Sequence, residues 1–385
     1  MNRSTGSRVL FLIASAMLVV PLLSGGLVGA RTRADGADDF YEYLSVFTDV
    51  LSLVRKVYVE RVDGRTLLSG ALDGASDALD PFSVYVPAEE VEGYRAAQRV
   101  GRTHSGMEVV KERGVAFVIA VEPESPAARA GVSRDDIVSK LAGRSTRDMP
   151  LWRMRQLFGG APGTELELEL VRRGEAIPVV LELARYQPPA PALESFDDIA
   201  VLRIPRFEPA AVAAVAELVA QAEGSTLLLD LRGVSGGEPE AAYRIADLFV
   251  DGELGKLIGR DGELESFVSR QEDVWPGELA VLVDRGTQGP AEVLARVLQG
   301  AGRAVTVGQR SFGHAGRTAQ IKLSSGALLE LTDGFYSGPD GVRIDESIVP
   351  ELRVEQLRRD EEGVDAVLDE ALRLLRESRQ EKAAA

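Results

Sequence analysis

Hydroxyl and imidazole side chains in the C-terminal half are candidates for nucleophilic chemistry. Ser235, Thr287 and Ser311 supply hydroxyls, and His314 supplies a base that is neutral near pH 7. A hydroxyl beside such a base can attack a carbonyl carbon, which is the first step of acyl transfer. A serine or threonine in a turn or strand more often bonds its own backbone. A nucleophilic threonine or serine is therefore one hypothesis, with a purely structural role as its alternative.

The composition excludes several other kinds of chemistry. The chain has 385 residues, no cysteine and only two histidines, His104 and His314. Disulfides, thiolate zinc sites, iron–sulfur clusters and a cysteine nucleophile are excluded, and so is a metal site built from several histidines. The stretch 233–237 is glycine-rich but lacks the lysine of a phosphate-binding loop. We predict neither a metal nor another cofactor.

The net charge restricts the binding partners of the protein, and the length of the chain indicates its number of domains. Acidic residues number 60 and basic residues 44, so the net charge is −16. Such a balance argues against a nucleic-acid partner, because nothing would compensate the phosphate backbone. Apolar residues make up 45% of the chain, which is enough for a packed core, and the length predicts two or three domains.

Residues 1–30 have the organisation of an export signal. Arg3 and Arg8 precede an apolar run from Val9 to Ala30 that ends in small residues. The run is also long enough to span a bilayer, so a cleaved signal peptide and an uncleaved anchor both stay open. In either case we expect an exported protein, periplasmic or in the cell envelope, whose membrane contact is confined to this segment.

Hydrophobic periodicity divides the remaining chain into four segments. Residues 39–100 repeat apolar side chains every three or four positions and predict helices, whereas 101–186 contain short strands, including the alternating run 165–171. Residues 195–357 alternate strands and helices, which is typical of a layered α/β domain with a partly parallel sheet. Residues 358–385 predict a C-terminal helix and tail. The fold class is therefore multi-domain α/β, with a helical N-terminal segment and a β-rich module.

Short motifs follow one another in order between residues 40 and 372. They are Val57–Val59, Leu79–Tyr85, Glu124–Gly131, Asp135–Ile137, Gly160–Thr164, Asp230–Arg232 with Gly236 and Gly237, Ala246–Phe249, Ser311–Gly313 and Leu331–Thr332. Each is weak alone, but their joint order resembles the C-terminal processing (tail-specific) serine peptidases, which carry an embedded PDZ domain. The resemblance implies that 101–186 is PDZ-like, that 195–357 is the peptidase core, and that Gly236 and Gly237 form the core turn.

The resemblance also implies a peptide-binding groove. A PDZ fold adds an extended peptide to a sheet edge beside a helix, and backbone amides hold the terminal carboxylate. The implied peptide-binding residues are Ser105, Gly106 and Met107 in the carboxylate loop and Trp152, Met154 and Leu157 on the flanking helix. The alternative is that the three helix residues belong to the core. We expect His104 to be a solvated loop residue.

The implied catalytic positions hold residues that cannot perform the family's chemistry. In the family a serine attacks, a buried neutral lysine takes its proton, a glutamine positions the lysine, and the amide after the serine stabilises the oxyanion. The register places the nucleophile at Gly289, the oxyanion donor at Pro290, the base at His314 and the orienting residue at Thr318. Glycine has no side chain and proline has no N–H. We expect none of the four positions to be catalytically active.

The sequence therefore predicts an exported pseudo-peptidase that binds extended peptides or protein C-termini through a PDZ-like groove without cleaving them. An active peptidase relative is a further predicted partner. One alternative is an active serine- or threonine-type endopeptidase that uses another nucleophile, such as Thr287. A second alternative is a structural envelope protein. Asp284 and Glu292 could form a carboxylate pair, but we expect both to be solvated side chains.

Overall fold

The computed structural model describes residues 41–100, 104–196, 199–222, 226–271, 274–354 and 365–384. The export signal predicted for residues 1–30 lies outside these ranges. Contacts divide the described residues into two units, one ending at Leu72 and one beginning at Asp73. Among the helices within the described ranges, none combines the length and apolar character that a membrane span requires.

The first unit contains helix α1, residues 41–57, and the first turns of α2, Gly64–Asp77. Both helices agree with the apolar periodicity of this region. Helix α2 ends shortly before Asp80 and Pro81, since the residue before a proline avoids the helical conformation. The second unit opens with strand β1, Val84–Val86, followed by helix α3, Val91–Val100. The strand departs from the purely helical prediction for 39–100, because Val84 and Val86 are buried in an apolar cluster.

Residues 104–183 form a β-rich module. Its elements are β2 (Met107–Glu112), β3 (Val115–Val121), α4 (Pro126–Arg129), β4 (Ile137–Leu141), β5 (Arg144–Ser145), α5 (Leu151–Phe158), β6 (Glu165–Arg172) and β7 (Glu175–Glu182). The strands are ordered β2-β3-β4-β6-β7, so β2 lies at one edge. Alternation in β6 buries Leu166, Leu168 and Leu170 in the module's core, as the sequence predicts.

The remaining elements build the core domain. They are β8 (Ala192–Phe196), β9 (Ile199–Arg203), α6 (Pro209–Gln221), β10 (Thr226–Asp230), α7 (Pro239–Ala246), β11 (Glu253–Gly259), β12 (Gly262–Val268), β13 (Leu279–Val283), α8 (Pro290–Gly300), β14 (Val305–Gly308), β15 (Gly316–Lys322), β16 (Leu328–Tyr336), β17 (Leu352–Arg353) and α9 (Ala366–Ala384). Their alternation confirms the layered α/β prediction.

The central sheet has the order β17-β14-β13-β10-β9-β8 and is parallel except for the β8–β9 pair. Alternate side chains of its strands pack on opposite faces, against α6, α7 and α8 on one side and α9 on the other. A second sheet has the order β1-β16-β11-β12, with β15 paired to β16. The implied catalytic positions lie where the β13–α8 loop meets α8 (Gly289 and Pro290), just before β15 (His314) and on β15 (Thr318).

Candidate functional site

The loop between β13 and α8 ends at Gly289, the implied nucleophile position. Gly289 has φ +57° and ψ −115°, and Pro290 begins α8, where a missing N–H costs no helical hydrogen bond. A Cβ atom built on Gly289 would meet no atom within 4 Å. The position therefore has room for a side chain but holds none, and Pro290 supplies no oxyanion donor.

Thr287 lies two residues before this position and is fully buried. Its Oγ1 donates a hydrogen bond to the carbonyl oxygen of Leu231 at 2.9 Å and accepts one from the backbone N–H of Asp284 at 2.9 Å. The hydroxyl thus ties its own loop to the end of β10. These bonds give Thr287 a structural role and do not favour it as a nucleophile.

Asp284 is buried rather than solvated, so that expectation was wrong. Its Oδ1 accepts hydrogen bonds from the backbone N–H groups of Gly233 and Gly286, each at 2.9 Å. Its Oδ2 forms an ion pair with Arg134 of the β-rich module. A carboxylate needs such partners when it is removed from water. Asp284 therefore joins the core turn, the β13–α8 loop and the module.

Glu292 is also buried, which corrects the second half of that expectation. Its carboxylate accepts hydrogen bonds from the Ser311 hydroxyl and from the backbone N–H groups of Gly289 (3.0 Å), Gly313 (2.6 Å) and His314 (3.1 Å). Burial raises the pKa of Glu292 to about 7, although these hydrogen bonds favour the ionised form. Glu292 and Asp284 belong to separate networks.

His314, at the implied base position, lies in an aromatic surrounding. Its ring stacks on Phe82 with 4.4 Å between centroids and meets Phe335 edge-on at 5.1 Å. Only 9% of the residue is exposed, and Nε2 has no hydrogen-bond partner. Burial lowers the pKa of His314, although the charges of Asp80 and Asp345 favour the cation. The geometry provides a neutral imidazole without a hydroxyl bonded to its Nε2.

Thr318, at the implied orienting position, lies on β15 and bonds to a glutamate. Its Oγ1 donates to Oε1 of Glu330 at 3.3 Å. Glu330 also accepts from Nε2 of Gln98 at 2.8 Å and from Nε2 of Gln320 at 3.1 Å. Thr318 is therefore part of a polar cluster between α3, β15 and β16.

A cavity of about 400 Å³ unites these positions with the β-rich module. Its lining includes Gly289, Pro290, His314 and Thr318 from the core and Ser105, Met107 and Met154 from the module. Further lining residues, which the sequence analysis did not single out, are Phe82, Gln98, Glu108, Arg155, Phe158, Arg206, Gln288 and Glu330. Phe158 follows Met154 by four residues on α5, so helical spacing could have found it. The others come from separate elements and carry no local signal.

Three of the predicted peptide-binding residues do not line this cavity. Trp152 is 7% exposed and packs with Val84, Tyr94 and Leu328, so it is a core residue. Leu157 packs against the core of the module. Gly106 has φ +72°, and a Cβ on it would come within 2.0 Å of Cβ of Ser125, so glycine is required there for packing.

His104 is buried, and the expectation of a solvated histidine was wrong. Its Nδ1 donates a hydrogen bond to the carbonyl oxygen of Gly160 at 2.7 Å, and its own carbonyl oxygen accepts from the N–H of Ala184 at 3.1 Å. The residue therefore fastens the start of β2 to two later segments of the module.

The paired glycines Gly236 and Gly237 lie in the connection between β10 and α7. Gly237 has φ +115°, and a Cβ on it would lie 2.0 Å from the carbonyl oxygen of Phe207. The backbone N–H of Phe207 donates to the carbonyl oxygen of Gly236 at 2.9 Å. Only glycine fits this approach of two backbones. Ser235 and Gly237 both line the cavity.

Within the described ranges, the histidine, aspartate and glutamate side chains form no group of three that could hold a metal ion. The cavity thus joins the strand–loop–helix junction of the mixed α/β core to the β-rich module.

Comparisons with known proteins find relatives of one family. Residues 198–354 match the sequence profile of Peptidase family S41. The chain is 28% identical over 381 residues to the carboxy-terminal-processing protease of Bartonella bacilliformis, covering 94% of this chain and 86% of the relative. It is 25% identical over 355 residues to the carboxy-terminal processing protease CtpA of Bacillus subtilis, covering 89% and 75%. These similarities, which span nearly the whole chain, support its assignment to the C-terminal processing peptidases.

A solved structure has the same fold. The photosystem II D1 C-terminal processing protease superposes with a TM-score of 0.67 at 22% sequence identity, covering 83% of this chain and 95% of that chain.

Proposed function

We propose that this protein is an exported pseudo-peptidase that binds extended peptides or protein C-terminal tails without cleaving them. The observation that carries the proposal is the cavity that holds Gly289 and His314 together with the module residues Met107 and Met154. A polypeptide end held beside Met154 could therefore extend to the position where a nucleophile would stand, and would meet only hydrogen atoms at Gly289.

Peptide binding is supported by the position of β2 and α5. Strand β2 lies at the edge of its sheet, and an edge strand offers unpaired backbone groups to an extended peptide. Met107 and Val109 of β2, with Met154 and Phe158 of α5, give the cavity an apolar wall. We infer that this module is PDZ-like and takes an apolar C-terminus. The two bacterial relatives are named for carboxy-terminal processing, which agrees with protein tails as the ligand class.

Loss of cleavage is supported by the hydrogen bonds of two candidate hydroxyls, those of Thr287 and Ser311. The Thr287 hydroxyl bonds Leu231, and the Ser311 hydroxyl donates to Glu292 and accepts from the backbone N–H of Ile348 at 2.8 Å. Loss of one oxyanion donor typically lowers the rate about 100- to 1000-fold, and Pro290 lacks that donor. Peptide binding without cleavage supports a role as an exported adaptor or as a regulator of an active relative.

The test is a titration of the purified protein with a fluorescent peptide that ends in apolar residues. We expect saturable binding, weaker binding of the same peptide with an amidated C-terminus, and an unchanged peptide mass after prolonged incubation. Absence of binding at millimolar peptide would contradict the proposal and favour a structural envelope protein. A shortened peptide whose formation depends on Thr287 and His314 would favour an active peptidase.

A further inference from the structure

Three buried polar atoms of uncharged side chains in the cavity lining have no hydrogen-bond partner among the described residues. They are Oγ of Ser105, Oε1 of Gln288 and Nε2 of His314, and the residues are 0%, 7% and 9% exposed. Buried polar groups in native proteins are almost always bonded, because an unmade hydrogen bond costs free energy. Partners supplied by a ligand would recover that cost, so these atoms indicate where a ligand binds.

Gln288 is held firmly beside the vacant nucleophile position. Its backbone N–H donates to the carbonyl oxygen of Val234 at 2.9 Å, and its carbonyl oxygen accepts from the N–H of Ala291 at 3.3 Å. The side-chain amide offers one acceptor and two donors, the same kinds of group that a neighbouring strand offers to an extended chain. Since Gly289 has no side chain, a ligand backbone can approach this amide closely.

We propose that the side chain of Gln288 binds the main chain of the bound polypeptide, accepting a hydrogen bond from one peptide N–H where the chain passes Gly289. The inference rests on the proposed function and makes it more specific. The ligand is an uncut polypeptide that continues across the nucleophile position, and it is recognised there through a peptide group rather than through a side chain.

The charges around the cavity agree with recognition by neutral hydrogen bonds. Arg206 is ion-paired with Glu122 at 3.0 Å and with Glu208 at 2.6 Å. Arg155 interacts with Tyr94, Glu108 and Glu330. Both cations of the lining therefore already face carboxylates, and a peptide group suits the Gln288 amide better than an anion does.

A double-mutant cycle with backbone-modified ligands tests the inference. The tail peptide is synthesised in a series in which one amide at a time is replaced by an ester, which removes a single N–H donor. We expect one ester position to weaken binding to the wild-type protein about tenfold, as for the loss of one hydrogen bond to a buried acceptor. In Gln288→Leu and in the length-matched Gln288→Met, the same ester is expected to change the affinity less than twofold.

Gln309→Leu is the matched control, because Gln309 is half-buried and does not line the cavity. It is expected to keep the wild-type response to every ester. If each ester weakens binding to Gln288→Leu and Gln288→Met as much as to the wild type, the inference is wrong and the proposed function stands. If the wild type binds no tail peptide at millimolar concentration, the proposed function itself is wrong.

Discussion

The backbone N–H of Gly289 donates a hydrogen bond to Oε2 of Glu292 at 3.0 Å, and the same oxygen accepts from the N–H of His314 at 3.1 Å. One buried carboxylate thus joins the two segments in which a nucleophile and a base would stand. Glu292 thus holds these two segments together, although Gly289 has no side chain that could react.

This carboxylate gives the first prediction, on stability and pH. Burial raises the pKa of Glu292 to about 7 from an ordinary value of 4.5, so the folded protein holds a proton that the unfolded chain has lost between these pH values. The stabilisation of the folded state by protonated Glu292 is fully present below pH 4.5 and is lost as the pH rises through 7. The free energy of unfolding of the wild type, minus that of Glu292→Gln, should fall by about 3 kcal/mol over this range.

Urea denaturation at half-unit pH steps measures this difference. Glu194→Gln, at an exposed position on β8, is the control and should follow the wild type at every pH. A difference between the wild type and Glu292→Gln that does not change between pH 4.5 and 7 would contradict the buried acid.

His314 gives a second pH-dependent prediction. Burial lowers its pKa below the ordinary 6.5, so protonation favours the unfolded chain, and the stability contributed by neutral His314 is present above pH 6.5 and lost as the pH falls through the folded pKa. Because the chain has two histidines, imidazole signals in NMR titrations are few, and His314→Asn assigns them. We expect the NMR titration of the His314 ring to have its midpoint below pH 6.5. A midpoint above pH 6.5 would place the ring in water or beside an unneutralised carboxylate.

The vacancy at Gly289 is testable by comparison with Gly237. Both have positive φ, but a Cβ on Gly289 meets nothing within 4 Å, whereas one on Gly237 would lie 2.0 Å from the Phe207 carbonyl oxygen. Gly289→Ala should therefore cost only the backbone strain, about 1–3 kcal/mol, and Gly237→Ala considerably more. Urea unfolding of the two variants measures this. Equal losses would mean that the space at Gly289 is not vacant.

Restoring the implied catalytic groups tests whether these positions have been assigned correctly. The combined variant replaces Gly289 by Ser, Pro290 by Ala, His314 by Lys and Thr318 by Gln. We expect it to cleave a tail peptide slowly, since Glu292 and Asp284 still hold the loops, while Gly289→Ser with Pro290 retained stays inactive for lack of the oxyanion donor. A combined variant that folds and binds the peptide but does not cut it would contradict the assignment.

Local patterns predicted much of the fold. Helix α5 contains the three residues that the sequence placed on one helix, Trp152, Met154 and Leu157, and the alternating run from Glu165 became β6. The start of α8 at Pro290 was likewise predictable, because proline suits the first helical position. In these segments one apolar face is enough to determine both the type of element and its buried side.

The side chains that organise the site could not be predicted in the same way. Glu292 bonds Ser311, 19 residues away, and Asp284 pairs with Arg134, 150 residues away. Charged residues are mostly exposed, so solvation was the better expectation for both carboxylates until their distant partners were known. Trp152 was placed in the groove because it shares α5 with Met154, but it packs with Val84 and Tyr94, two partners from outside the module.

The most direct test of the absence of catalysis is mass spectrometry. A peptide that ends in apolar residues is incubated at saturating concentration with wild-type protein that is free of contaminating proteases. Binding is verified in the same sample by fluorescence anisotropy. We predict that the peptide stays bound and keeps its full mass over days, because no side chain stands at Gly289. Catalytic shortening of the peptide that disappears in His314→Ala would contradict a binding protein that cannot cut.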